Sequence, residues 1–304
     1  MFHGVMTALV TPFKEKAGSQ TLIIDEDAYC AHLDRQLAAG VDGVIPAGTT
    51  GEAATLSWDE HKRLIDITVQ HVNGRVPVIA GTGSNNTAES IALTQAAKSL
   101  GADAALLISP YYNKPMQEGI YQHYKAVADA VHLPQIVYNV PGRTHSNISP
   151  ETVGRLSRCA NIVGIKDATA DMAQLTRTML HCSSGFEFYS GDDASTLPFM
   201  ALGGVGVISV VSNIAPKTMR CLTDAMRVGD WSTAKRAHFS LQHLSDSMFI
   251  QSNPMPVKAA CHLLGWMSGD LRLPLTQLSD IDQQRVAQAI AQFASDVETL
   301  HIAA

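Results

Sequence analysis

Ile162-Val163-Gly164-Ile165-Lys166-Asp167-Ala168-Thr169 is a short run of β-branched and apolar residues that ends on a lysine. Such a run reads as a buried strand, and a buried lysine is costly unless its ammonium is paired or used. Burial also lowers a lysine's pKa, leaving neutral amine near pH 7 that attacks a carbonyl. Two readings stand at this point: a Schiff-base lysine, or a side chain that leaves the sheet and snorkels to water.

Outward from this run the same alternation repeats in both directions. Strand-like stretches cover 5–10, 41–47, 76–80, 104–109, 135–140, 186–189 and 205–210. Amphipathic stretches at 24–39, 88–100, 119–131, 172–180 and 217–226 read as helices between them. Ser57 with Glu60 and Asn86 with Glu89 have the spacing of capping boxes, and Ser149-Pro150 opens a helix with proline at its first position. Units of roughly 20 to 40 residues predict a closed (β/α)8 TIM barrel. An open doubly wound sheet would want a glycine-rich dinucleotide turn after an early strand, where this chain has Thr11-Pro12-Phe13. From Trp231 the strands stop, and 234–249, 257–266 and 282–300 read as helices, the last with an apolar stripe of Val286, Ile290, Phe293 and Val297. The expected organisation is therefore an α/β barrel over 1–230 followed by a small C-terminal helical domain over 231–304.

Composition narrows the classes of function. Of 304 residues, 46% are hydrophobic and 16% charged, which suits a well-buried globular protein. A net charge of −6 argues against nucleic acid or an anionic membrane as partner. The five cysteines are scattered without a C-x-x-C pair, a pattern of reduced thiols in a cytoplasm. Residues 1–13 lack a basic region and carry Pro12, against a signal peptide, and no run approaches the roughly 20 apolar residues of a membrane span. A soluble, cytoplasmic protein is expected.

A barrel keeps its chemistry at the C-terminal ends of its strands. The polar residues that need explaining fall there: Thr49 and Thr50 after the second strand, Tyr112 after the fourth, Tyr138 and Arg143 on and after the fifth, Lys166 on the sixth, Asp192 after the seventh. Their convergence on one mouth favours the Schiff-base reading of Lys166. Each also has a plainer explanation. Gly48-Thr49-Thr50-Gly51 is either a hydroxyl-assisted turn or a carboxylate-binding nest. Tyr138 either buries its ring or moves protons beside the amine. Arg143 is either a surface residue or a bidentate carboxylate ligand. Asp192-Asp193 reads as a turn or helix cap and not as a metal site, because no histidine pair has ligand spacing near a strand end. Lys258, the rival nucleophile, falls in the helical appendage and reads as structural.

The motifs Gly48-Thr49-Thr50-Gly51-Glu52, Tyr111-Tyr112-Asn113, Tyr138-Asn139-Val140-Pro141-Gly142-Arg143-Thr144, Gly164-Ile165-Lys166-Asp167-Ala168-Thr169 and Ser190-Gly191-Asp192-Asp193 together resemble the dihydrodipicolinate synthases. These belong, with N-acetylneuraminate lyase, to the pyruvate-dependent class I aldolases. The resemblance runs nearly end to end, through Asn253 to Lys258 and Leu271-Arg272-Leu273-Pro274. It implies a homotetrameric cytoplasmic lyase of lysine and diaminopimelate biosynthesis. Pyruvate would form an imine with Lys166, without metal or organic cofactor, and its enamine would attack the aldehyde of L-aspartate 4-semialdehyde. Thr49, Tyr112 and Tyr138 would relay protons, with Tyr112 reaching in from a neighbouring subunit. Thr50 would hold the pyruvate carboxylate and Arg143 that of the semialdehyde, while Gly191 and Ile208 would line the site through their backbones. A feedback site for L-lysine is implied at His61, Asn85, Glu89, Tyr111, Ala54, Trp58 and Ala53. Trp58 and Ala53 stand where the familiar enterobacterial enzymes carry histidine and serine. Competing expectations are another pyruvate aldolase, such as N-acetylneuraminate lyase or a keto-deoxy-sugar-acid aldolase, and a non-catalytic barrel that binds a keto acid.

Overall fold

The computed structural model describes residues 1–299. Its strands are β1 (Gly4–Ala8), the hairpin pair β2 (Phe13–Glu15) and β3 (Leu22–Ile24), β4 (Gly43–Ile45), β5 (Ile79–Gly81), β6 (Ala104–Ile108), β7 (Gln135–Asn139), β8 (Ile162–Asp167), β9 (Glu187–Ser190) and β10 (Gly206–Ser209). All but the hairpin join one parallel sheet in the order β4-β1-β10-β9-β8-β7-β6-β5. A parallel bridge between Val44 and Val78 joins the two ends, so the sheet closes into the expected (β/α)8 barrel.

Local sequence explains the element boundaries. β5 begins after Pro77, whereas the apolar run starts at Val76, because proline cannot donate to a ladder. The hairpin β2–β3 does not read as strand in the sequence, since the exposed Lys14 and Glu15 break any apolar alternation. Helices α1 (Glu26–Ala39), α2 (Trp58–Val72), α3 (Thr87–Ser99), α4 (Gln117–Ala130), the single-turn α5 (Pro141–Thr144), α6 (Pro150–Leu156), α7 (Met172–His181), α8 (Thr196–Ala201) and α9 (Pro216–Val228) alternate with the barrel strands. Ser57 and Glu60 form the expected reciprocal capping box on α2. The box expected on α3 is only half made. Asn86 Oδ1 accepts from Ala88 N–H at 3.0 Å, but Ser84 Oγ donates to Glu89 Oε2 at 2.8 Å and accepts from Asn86 N–H at 3.1 Å. The serine hydroxyl thus stands between the two ends of the would-be box.

The barrel interior is packed by Met6, Ile45, Ile79, Leu106, Ile136, Tyr138, Tyr189 and Ile208, so it is a core and not a pore. Further apolar clusters fill the space between sheet and helices. After α9 come α10 (Trp231–Ser247), α11 (Met255–Leu263) and α12 (Asp280–Thr299). α10 packs on α9 and α12, and α11 packs on α12. Val286 and Val297 of α12 are buried, and Ile290 and Phe293 lie half-buried against the same core, which accounts for the apolar stripe. The expected end of that helix at Leu300, like the tail to 304, lies outside the described residues.

Candidate active site

Lys166 is the fifth residue of β8, paired in register with Tyr138 of β7 on one side and Tyr189 of β9 on the other. The pleat turns its side chain into the barrel, where it is 5% exposed. Its Nζ sits 4.2 Å from the centroid of the Tyr138 ring. Burial pulls its pKa down to about 7, opposed by the Asp193 carboxylate and reinforced by the Arg143 charge. At neutral pH a sizeable fraction of this amine is therefore unprotonated, as a nucleophile for a carbonyl requires. Tyr138 is also buried, and burial pushes its phenol up to about 12. It stays protonated near neutrality and is a proton donor at the amine's side.

Gly191 follows β9 and donates its N–H to Asp167 O at 2.7 Å. A Cβ there would lie 2.8 Å from Ala168 Cβ and 3.0 Å from Lys166 Cε, so only glycine leaves the lysine its space. Asp192 caps the following turn by accepting from Ser195 N–H at 2.9 Å. Asp193 is buried and accepts from Ser209 Oγ at 2.5 Å, Val210 N–H at 3.0 Å and Val211 N–H at 3.3 Å. Its carboxyl is raised to about 6, burial outweighing those hydrogen bonds. It therefore braces the end of β10 next to Ile208, which is itself fully within the barrel core. Neither aspartate belongs to a group of three or more potential metal ligands among the described residues.

The loop after β4 brings Thr49 and Thr50 to the same mouth. It is wound tightly by Gly51 N–H to Gly48 O at 3.0 Å and Glu52 N–H to Thr49 O at 3.1 Å. Thr50 is buried, and its Oγ1 accepts from Asn253 Nδ2 at 3.0 Å. Thr49 is half-buried, and its hydroxyl makes no hydrogen bond among the described residues. Glu52 ends the loop in a left-handed conformation, φ 56°, with its buried carboxylate receiving Lys258 Nζ at 2.5 Å and Arg272 N–H at 3.1 Å. Lys258, the rival nucleophile, is thus held in a buried ion pair with Glu52. After β7, α5 presents the exposed Arg143, whose Nη2 donates to Asn253 O at 3.0 Å.

One expected member stands apart. Tyr112 lies on the loop after β6 in a left-handed conformation, φ 71°, and projects 89% exposed. It makes no hydrogen bond to the other site residues within the chain. The residues implied for an effector gather instead between the loops after β4, β5 and β6. His61 Nε2 meets Gly81 O at 2.7 Å, Asn85 Nδ2 donates to Tyr111 O at 3.1 Å, and Glu89 holds Ser84. Ala53 and Ala54 occupy the turn after Glu52, and Trp58 opens α2 with about half its surface exposed. The residue to which the sequence assigns no role is Asn253. Only its place in the run Asn253 to Lys258 distinguishes it, because its partners Thr50 and Arg143 are remote in the chain.

The family model for the dihydrodipicolinate synthetase family matches residues 1–293. The chain is 50% identical over 293 residues to the 4-hydroxy-tetrahydrodipicolinate synthase of Pelobacter propionicus, covering 96% of this chain and 99% of that one. The structure of dihydrodipicolinate synthase from Acinetobacter baumannii, complexed with pyruvate, superposes with TM-score 0.93 at 43% identity, over 97% of this chain and 99% of that one. The synthase of Cyanidioschyzon merolae, with lysine bound, superposes with TM-score 0.91 at 40% identity, over 96% and 98% of the two chains.

Proposed function

The chain belongs to the dihydrodipicolinate synthetase family, and from that premise we propose that it condenses pyruvate with L-aspartate 4-semialdehyde to give 4-hydroxy-tetrahydrodipicolinate. The observation that carries the reading is Lys166, a buried amine with a pKa near 7 beside a protonated tyrosine at the mouth of the barrel. Its Nζ adds to the pyruvate ketone, and loss of water leaves an iminium. The iminium is the electron sink: loss of a proton from the pyruvate methyl gives the enamine, whose carbon attacks the semialdehyde aldehyde. The semialdehyde's amine then adds to the imine carbon, and expulsion of Lys166 closes the ring and frees the enzyme. No metal or organic cofactor is called for in this sequence of steps.

Site roles follow the chemistry. Tyr138, Thr49 and the Tyr112 of a second copy pass the protons that water loss and enamine formation require. An 89% exposed tyrosine on a strained turn is well disposed to reach across an interface. Thr50 takes the pyruvate carboxylate and Arg143 that of the semialdehyde, and Gly191 and Ile208 shape the wall. Two anion sites match two carboxylate substrates, which favours this reaction over sugar-acid aldol cleavage or simple keto-acid binding. The assembly is a homotetramer and the compartment the cytoplasm, the latter in keeping with five free cysteines and with no helix among the described residues apolar and long enough to cross a membrane. Residues 1–230 serve as the catalytic barrel and 231–304 as a helical domain that buttresses it. L-Lysine binds the cluster of His61, Asn85, Glu89, Tyr111, Ala53, Ala54 and Trp58 and inhibits.

The test is a coupled assay with both substrates, following NADPH consumption by added dihydrodipicolinate reductase. Turnover that is lost in Lys166→Ala supports the reading. Folded protein without turnover overturns it in favour of another aldolase or a keto-acid binder.

A further inference from the structure

Asn253 lies just before α11 and is 6% exposed. Its Nδ2 donates to Thr50 Oγ1 at 3.0 Å, and its backbone carbonyl accepts from Arg143 Nη2 at 3.0 Å. Its Oδ1 is buried without a hydrogen-bond partner among the described residues. The bond from Nδ2 to Thr50 is thus the hydrogen bond that this buried amide makes among the described residues. One residue from the C-terminal helices therefore touches both members of the barrel assigned to substrate carboxylates.

We propose that Asn253 is a positioning residue for the condensation, setting the polarity of the Thr50 hydroxyl and the aim of the Arg143 guanidinium. The proposal rests on the carboxylate roles of Thr50 and Arg143 given above. An amide nitrogen only donates, so the bond from Nδ2 occupies a lone pair of the Thr50 oxygen. The hydroxyl's own proton is then turned away from Asn253 and is free for an anion in the mouth. A carboxylate at the same place would reverse this: it would accept the Thr50 proton and set a negative charge beside the arriving carboxylate. Arg143 is held differently. The Asn253 carbonyl takes one of its five N–H donors and leaves the rest of the fork for bidentate binding.

This difference makes the proposal separable from a general structural role. Side-chain variants of Asn253 remove the bond to Thr50, or reverse it in Asn253→Asp, and keep the carbonyl that holds Arg143. The pyruvate step should suffer and the semialdehyde step should not. The experiment is borohydride trapping of the lysine imine across a range of pyruvate concentrations, with steady-state constants for both substrates. Asn253→Asp should raise the pyruvate concentration for half-trapping about tenfold or more, and Asn253→Ala about threefold to tenfold. The KM for the semialdehyde should stay within about threefold, and in a Thr50→Val background Asn253→Ala should add no more than about twofold. Should Asn253→Asp fail to fold, Asn253→Ala carries the same readouts without a buried charge. Unchanged half-trapping in a folded variant, an equal rise in both KM values, or full additivity with Thr50→Val would each overturn the role of Asn253. Absence of trapping in the wild-type protein would instead overturn the imine reading on which it rests.

Discussion

Lys258 Nζ lies 2.5 Å from Glu52 Oε1, with both side chains wholly excluded from solvent. The pair joins α11 to the loop that carries Thr49 and Thr50, so the C-terminal helices hold the loop after β4 in place. Arg272 adds to the same joint. It donates its N–H to Glu52 and its guanidinium to Glu60, whose carboxyl this contact holds down at about 2, and it stacks on Phe13. Removing one partner of a buried pair strands the other charge, at a cost of about 3–5 kcal/mol. Lys258→Met should therefore lower the thermal midpoint strongly, and adding Glu52→Gln should restore much of the loss. A double variant no more stable than Lys258→Met alone would contradict this account of the joint.

Gly191→Ala probes the space beside the amine. Its Cβ would press on Lys166 Cε and Ala168, while the backbone of Gly191 has no left-handed φ that alanine would strain. Turnover should fall at least about tenfold by displacement of the nucleophile, with the thermal midpoint changed by only a few degrees. Wild-type turnover in this variant would show that the lysine does not work in the conformation described.

How far the sequence announces this site depends on the kind of residue. β8, its lysine and the strand-end polar residues are legible because strand alternation and a charge in an apolar run are local signals. The closure of the sheet follows from the repeat of strand and helix. The joint between Glu52 and Lys258 and the bridge from Thr50 through Asn253 to Arg143 are not legible, since each links residues some 110 to 206 positions apart. Glu89 misleads for a local reason: a serine two residues before the cap competes for it. Tyr112 is legible as part of its motif, yet within the chain it stands exposed and apart from the other site residues.

Activity should depend on pH through Lys166. Burial lowers its pKa from the ordinary lysine value to about 7, so the reactive neutral amine is abundant above that pH and lost below it. kcat/KM for pyruvate should rise tenfold per pH unit on the acid side and level off above about 7. Because the Asp193 carboxylate raises the lysine's pKa, Asp193→Asn should move the midpoint to lower pH. A midpoint that stays put, or moves up, would remove Asp193 from the amine's surroundings.

L-Lysine should inhibit the reaction at millimolar concentration or below. An ammonium and a carboxylate on the effector suit the Glu89 carboxylate and the polar groups of Asn85 and Tyr111, which meet across the loops after β5 and β6. Glu89→Ala should abolish inhibition and leave uninhibited turnover within about twofold. Full activity of the wild-type protein at several millimolar L-lysine would dismiss this cluster as an effector site.

The most direct test of the whole account is to treat the protein with pyruvate and borohydride, digest it, and locate the reduced adduct by mass spectrometry. A single reduced pyruvyl group is expected on the peptide containing Lys166, with none in Lys166→Ala. An adduct on Lys258, or none on folded wild-type protein, would contradict it.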